Sequence, residues 1–129
     1  MDGPFTSTRS LPESAIAQLP PKVAIDIHLM TAKPSDHLQQ ILRLKPSLCI
    51  LHAESNENLL PFFAEFKKAG IKSGVALLPG TYPEIVKPYL DVADHALIFA
   101  GSLGKQGGQA NLLQMEKIKL VRKLNPNIE

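Results

Sequence analysis

The stretch Val23-Ala24-Ile25-Asp26-Ile27-His28-Leu29-Met30 decides how the rest of the chain is read. Val23, Ile25, Ile27 and Leu29 alternate with Ala24, Asp26, His28 and Met30. That period of two places successive side chains on opposite faces of a β-strand. The neighbouring segments predict a strand covered on both faces, which would enclose an acid and an imidazole. Enclosing such groups is costly unless they are paired or bound. A strand ending in an inward carboxylate and imidazole is therefore a candidate floor for a polar site.

Three more apolar runs of strand length follow at similar spacing: Leu48 to Glu54, Lys72 to Leu78 and His95 to Gly101. Segments of helical pattern lie between them. Ser35 to Leu44 opens with Ser35 as an N-cap and carries Leu38, Ile41, Leu42 and Leu44 on one face. Asn56 to Ala69 carries Leu59, Leu60, Phe62, Phe63 and Phe66, and stops at Gly70. Tyr82 to Leu90 has Pro83 in its first turn, with Pro88 against a helix near its end. Asn111 to Leu124 carries Leu112, Leu113, Met115, Ile118, Val121 and Leu124, and Asn125-Pro126 ends it. A further helix is predicted over Pro12 to Leu19, with Pro12 in its first position. Strand–helix alternation with short links predicts an α/β fold with a parallel sheet. About 25 residues per unit suits a partial (β/α)8 TIM barrel, and a doubly wound open sheet is the alternative.

In both architectures the ligand lies beyond the C-terminal ends of the strands. Gathered there are His28 and Met30, His52 and Glu54, Pro79-Gly80-Thr81, and Gly101 through Gln109. The other ends, such as Lys45-Pro46-Ser47 and Ala69-Gly70-Ile71, read as plain turns. Four strands make half of an eight-stranded barrel, whose usual length is about 250 residues. The 129 residues form one partial domain whose ends resemble a strand exit at Met1-Asp2-Gly3-Pro4 and a strand opening at Asn127-Ile128-Glu129.

Composition narrows the function classes. The chain is 44% hydrophobic and 20% charged, as a soluble globular protein is. A formal net charge of +2 gives no nucleic-acid or membrane-surface signal. The apolar runs are too short to span a membrane, and the N-terminus has no signal-peptide pattern. The single cysteine, Cys49, sits inside an apolar run and reads as a buried inert thiol. A reducing, cytoplasmic compartment is the default.

Four motifs occur here in the order found in ribulose-phosphate 3-epimerases, and the chain resembles that family over nearly its whole length. They are Ile25-Asp26-Ile27-His28-Leu29-Met30, Leu51-His52-Ala53-Glu54, Gly74-Val75-Ala76-Leu77-Leu78-Pro79-Gly80-Thr81 and Gly107-Gly108-Gln109. Met1-Asp2-Gly3 followed by Phe5 resembles the family's second strand exit, so the chain corresponds to the barrel from the end of strand two to the threshold of strand seven. The resemblance implies an isomerase of the pentose phosphate pathway that interconverts D-ribulose 5-phosphate and D-xylulose 5-phosphate. A proton beside the ketone is removed and returned on the opposite face, which needs two carboxyl groups across the substrate plane. A divalent metal (zinc, iron or manganese) is implied as the Lewis acid. By the same resemblance His28 is a metal ligand, and Met1 and Met30 line the sugar pocket. Gly107 and Gly108 offer backbone N–H groups to the phosphate, with a helix start just beyond.

The departures from the family pattern set further expectations. The histidine and aspartate that precede the strand-two methionine stand before Met1, and the strand-seven aspartate would follow Glu129. The chain would then retain one metal ligand and neither acid/base carboxylate, and Asp2 matches a different aspartate of the motif. Gly101-Ser102-Leu103-Gly104-Lys105-Gln106 replaces the usual Asn-Pro-Gly-Phe, and Leu78 replaces an asparagine. Substrate choice is left open between the pentose phosphate and another ketose phosphate, and a non-catalytic phosphosugar-binding or assembly role stands as the alternative. Asp26 is expected in a supporting role. His52 and Glu54 have two readings, substrate contact or hydrogen bonding to the adjacent turn. His37 and His95 are expected to be solvated or capping and Met115 ordinary core, while Lys105 has two readings, an aid to anion binding or an exposed loop lysine. An open parallel sheet predicts a homo-oligomer or poor solubility.

Overall fold

Short apolar runs separated by turn-forming residues give four parallel strands. These are β1 (Asp26–Leu29), β2 (Leu48–His52), β3 (Lys72–Leu77) and β4 (His95–Ile98). The structure, a computed structural model, describes residues 13–18, 20, 23–103, 105 and 107–129. Strand order within the sheet is β1-β2-β3-β4, all parallel. Each strand lies beside its predecessor with no reversal. That is the order of a (β/α)8 barrel and not of a doubly wound sheet, where the order switches direction. The chain is thus an α/β fold in a partial barrel arrangement.

Register divides the sheet into two faces. Leu29, Leu51, Val75 and Ala96 are partners across the sheet and point one way. With Cys49 and Leu77 they pack on the helices, against Ile41, Phe62, Phe66 and Leu90. His28, Ile50, Gly74 and His95 are partners pointing the other way, toward what is the interior side of a barrel. That second face is only partly covered: Asp26 is exposed, and His28, Ile50, His95 and Leu97 are half-buried. The expectation of an enclosed acid therefore fails at Asp26, which sits at the start of β1 on the less covered face. β1 is also shorter than Val23 to Met30. Its ladder opens where Ser47 N–H donates to Ile25 C=O at 2.8 Å. Pro46 precedes that donor, so Val23 and Ala24 have nothing on β2 to pair with and are exposed.

The helices are α1 (Glu13–Ile16), α2 (Leu38–Leu44), α3 (Leu60–Ala69), α4 (Lys87–Leu90) and α5 (Leu112–Leu124). Pro12 and Leu19 of the first predicted helix lie outside the described residues. Ser35 is no N-cap. It sits in a 3-10 turn, Pro34–Asp36, and its N–H and hydroxyl both donate to the Glu57 carboxylate, at 2.8 and 2.7 Å. α3 begins later than Asn56 because Asn58 holds a turn, its Oδ1 accepting from Leu60 N–H at 3.1 Å. It buries Phe62, Phe63 and Phe66, leaves Leu60 partly exposed, and ends at Gly70 in the left-handed conformation (φ 74°). Pro88 opens α4 and does not interrupt it, since its missing N–H falls in the first turn.

The largest departure is in α5. Its buried residues are Gln114, Lys117 and Val121, while Leu112 (83%), Met115 (53%) and Ile118 (44%) are exposed. Met115 is not core. Lys117 turns inward because the turn after β3 offers it two carbonyl partners, and Gln114 because it closes the cap of its own helix on Asn111.

Candidate functional site

The C-terminal ends of β1 and β2 bring two histidines face to face. His28 and His52 point to the same side of the sheet, and their Nε2 atoms lie 2.8 Å apart. Their rings stack with centroids 4.9 Å apart and an interplanar angle of 17°. Phe99, just past β4, sets its ring edge-on to His52 and tilted to His28, at 6.1 Å from each. His52 is fully buried. Burial, and then the neighbouring His52, lower the pKa of His28 to about 4, so its ring is neutral at neutral pH.

Glu54 ties this pair to the turn after β3. Its Oε2 lies 3.3 Å from His52 Nδ1, and its Oε1 accepts from Leu78 N–H at 2.8 Å and from the Thr81 hydroxyl. Burial pulls the Glu54 carboxyl up, and the hydrogen bonds from His52, Thr81 and Leu78 outweigh it, leaving the pKa below its ordinary value. Lys117 reaches the same turn from α5. Its Nζ donates to Leu78 C=O at 2.7 Å and Pro79 C=O at 2.6 Å. The side chain is 2% exposed; burial lowers its pKa, and the charge of Glu54 opposes that shift. One turn, Leu78-Pro79-Gly80-Thr81, is thus held by a carboxylate through its donors and by an ammonium through its acceptors.

The sequence-derived candidates divide accordingly. His28, His52 and Glu54 come together, and the hydrogen-bonded reading of His52 and Glu54 describes what these side chains do in the structure. Met30 is half-buried one residue beyond β1, and Met1 lies outside the described residues. Gly107 and Gly108 are exposed in the loop before α5, with Gly107 at φ 81°. A Cβ on Gly108 would stand 3.0 Å from Gly101 Cα, and one on Gly101 3.2 Å from Gly107 C=O. The glycines thus let the loop close on itself, backbone against backbone. The start of α5 is sealed by its own side chains. Asn111 Oδ1 accepts from Leu113 and Gln114 N–H at 2.9 and 3.4 Å, and Gln114 Oε1 accepts from Asn111 N–H at 2.9 Å. An anion here would draw its donors from the loop more than from the helix end.

Lys105 is exposed. His37 occupies the junction between the 3-10 turn and α2, its backbone N–H donating to Pro34 C=O. His95 is not simply solvated: its Nε2 lies 2.8 Å from Glu129 Oε2. Lys117 and Phe99 are the site residues that sequence reasoning missed, whereas Thr81 was already among the groups expected at the strand ends. The signal for Lys117 was that Gln114, Lys117, Val121 and Leu124 recur at helical spacing as a second stripe beside the apolar one.

Among the described residues, no group of three or more His, Cys, Asp or Glu side chains could hold a metal ion. His28 and His52 meet through their Nε2 atoms and do not converge on a shared centre, and the Glu54 oxygens are spent on Leu78, Thr81 and His52. These residues alone do not fit a catalytic metal. Among the described residues, no helix is long and apolar enough to cross a membrane.

The family model described as the Ribulose-phosphate 3 epimerase family matches residues 1–129. The chain is 29% identical to the ribulose-phosphate 3-epimerase, cytoplasmic isoform, of Oryza sativa subsp. japonica, over all of this chain and 59% of that relative. It is 27% identical to the ribulose-phosphate 3-epimerase of Rhodobacter capsulatus, over 95% of this chain and 54% of that relative. It is 29% identical to the chloroplastic ribulose-5-phosphate-3-epimerase of Arabidopsis thaliana, over all of this chain and 50% of that relative. The chain spans about half the length of the curated relatives it matches. A match over the full length, on parallel strands in barrel order, makes this chain a member of the ribulose-phosphate 3-epimerase family.

Proposed function

We propose that this site belongs to an isomerase that epimerises a phosphorylated ketopentose, interconverting D-ribulose 5-phosphate and D-xylulose 5-phosphate, and that the 129-residue chain alone does not turn over. The observation that carries the reading is the gathering of His28, His52 and Glu54 at the C-terminal ends of consecutive parallel strands. Epimerisation by proton removal and return needs two carboxyl groups across the substrate plane. Glu54 does not serve as either, because three donors already occupy it. The implied divalent metal and the acid/base pair would both have to draw on groups beyond the described residues. Met1 and Met30 as sugar-pocket residues, and His28 as a metal ligand, are part of the same proposal, as are a cytoplasmic setting and a homo-oligomer.

A coupled epimerase assay on the 129-residue chain, with zinc, iron or manganese added in turn, is expected to stay at background. Robust turnover would overturn the claim that the acid/base pair is absent. A second reading, phosphosugar binding without catalysis, is favoured by the exposed Gly107-Gly108 loop with its positive φ. Titration with ribulose 5-phosphate, followed by amide shifts over residues 101–111, tests it. Silence in that loop rejects binding there, and a stronger response to a hexulose 6-phosphate would point to another ketose phosphate.

A further inference from the structure

We propose that the groove between α3 and the link from α4 to β4 binds a monocarboxylate with an apolar tail, the tail on Leu60, Phe63 and Val92 and the head on the Lys67 ammonium. The groove holds about 740 Å³, within the range of small-molecule sites. It lies at the N-terminal ends of β3 and β4, where Lys72 and Ser73 open one strand and Asp94 precedes the other. That is the end of the sheet opposite the histidine pair. Leu60, Phe63, Ala64 and Lys67 line one wall at the spacing of a single helix face. Phe63 and Ile71 are buried and make the inner surface, while Leu60 and Val92 leave apolar area exposed at the rim.

Charge decides the head group. Of the charged side chains in the lining, all but Lys67 are already engaged. Both Asp91 oxygens accept from Lys87 Nζ, at 2.6 and 2.7 Å. Asp94 Oδ2 accepts from the N–H and the hydroxyl of Ser73, at 2.7 and 3.2 Å. Lys72 Nζ lies 3.7 Å from Glu129 Oε2. Lys67 Nζ has no partner among the described residues, so the unspent charge is positive. Lys67 stands about 10 Å along the helix axis from Leu60, which makes one end of the groove apolar and the other cationic. The α3 carbonyls that would repel an anion there are partly capped, Lys67 C=O by Gly70 N–H at 3.2 Å and Phe66 C=O by Ile71 N–H at 2.9 Å. An alkylammonium with the same tail would meet Lys67 as a like charge.

Titration of the 15N-labelled 129-residue chain with octanoate at neutral pH, read from amide shifts, tests the proposal. Saturable shifts are expected over residues 60–73 and 91–94, with the amides of His28, His52 and residues 107–111 unmoved. Octylammonium is expected to bind more weakly than octanoate. Lys67→Met should weaken octanoate about two- to fivefold, the worth of one exposed ion pair, and leave octylammonium no weaker. Lys67→Glu should reverse the preference, and Lys67→Arg should keep it. Lys67 is exposed, so these variants leave the core intact. No saturation at millimolar octanoate overturns the proposal, as does octanoate binding that Lys67→Glu does not change. Groove amides that shift with protein concentration and not with octanoate would mean that a second copy covers the groove, and would overturn it too. The groove lies away from the proposed epimerase site and no turnover is read, so failure here and failure in the epimerase assay are separate outcomes.

Discussion

A Cβ built on Gly74 would stand 2.7 Å from Cγ1 of Ile50, its register partner on β2, and 3.3 Å from Ile50 Cβ. Neither atom is the free end of a side chain, so the strands would have to part. Gly74→Ala is expected to cost about 1–3 kcal/mol, the range for overpacking a well-filled site. Ile50→Ala in the same chain should recover part of that loss, and urea midpoints of the single and double variants measure both. His28 gives the chain a pH dependence of definite sign. Its folded pKa of about 4 lies below the ordinary 6.5, so below pH 6.5 the unfolded chain binds more protons than the folded one. The stability is fully present above pH 6.5 and is lost as pH falls toward 4, with a slope approaching about 1.4 kcal/mol per pH unit. The lowered carboxyl of Glu54 acts in the same direction further into acid, its contribution being lost as pH falls from 4.5 through its folded pKa. Urea midpoints between pH 7 and 4 should fall accordingly. His28→Asn should flatten the upper part of that fall, and an unaltered slope would reject the assignment.

At the scale of one helix, α5 shows what local pattern can and cannot convey. Its start is written in the sequence: Asn111 and Gln114 are spaced as a capping box, and both reciprocal bonds form. Asn111→Ala should cost about 1 kcal/mol, read as a lowered urea midpoint. The stop of α3 at Gly70 is equally local, since only the left-handed φ and the absent side chain matter. The inward face of α5 is not local. Lys117 is buried because Leu78 C=O and Pro79 C=O, 39 and 38 residues earlier, accept from it; helical spacing puts it on a stripe with Gln114, Val121 and Leu124 but does not say what that stripe meets. Strand ends are non-local for a related reason: a run such as Val23 to Met30 has the alternation throughout, but only the part facing β2 finds a ladder partner. In the site, the residue types at the strand ends were legible from motif and spacing, whereas the His28–His52 contact depended on register between two strands. Lys117→Met removes the donor from two carbonyls, and groups left unsatisfied cost about 1–3 kcal/mol each when buried. Hydrogen exchange at the Leu78 amide should quicken in that variant, and unchanged protection would mean that Glu54 alone holds the turn.

Across the molecule, the spacing of the strand–helix units pointed to a barrel, and the order β1-β2-β3-β4 separated that from a doubly wound sheet. The same order leaves β1 with one strand neighbour among the described residues, while on the outer side of β4 Glu129 alone continues the ladder, its N–H donating to Asp94 C=O and its C=O accepting from Ala96 N–H. Purely parallel sheets occur almost only with both faces covered, yet here the face bearing His28, Ile50 and Leu97 is half-open. On the helix side, Leu112, Leu113, Met115 and Ile118 of α5 stand 44–83% exposed. Unpaired strand edges and contiguous apolar surface both favour association. Sedimentation velocity on the 129-residue chain is therefore expected to show a mass that rises with concentration. Replacing Leu112 and Met115 by glutamate separates the two surfaces, since both side chains point away from the core. Loss of association in that variant places the contact on α5, and persistence places it on the sheet. A monomer at every concentration would mean that neither surface is sticky enough to matter, and would reject the expectation outright.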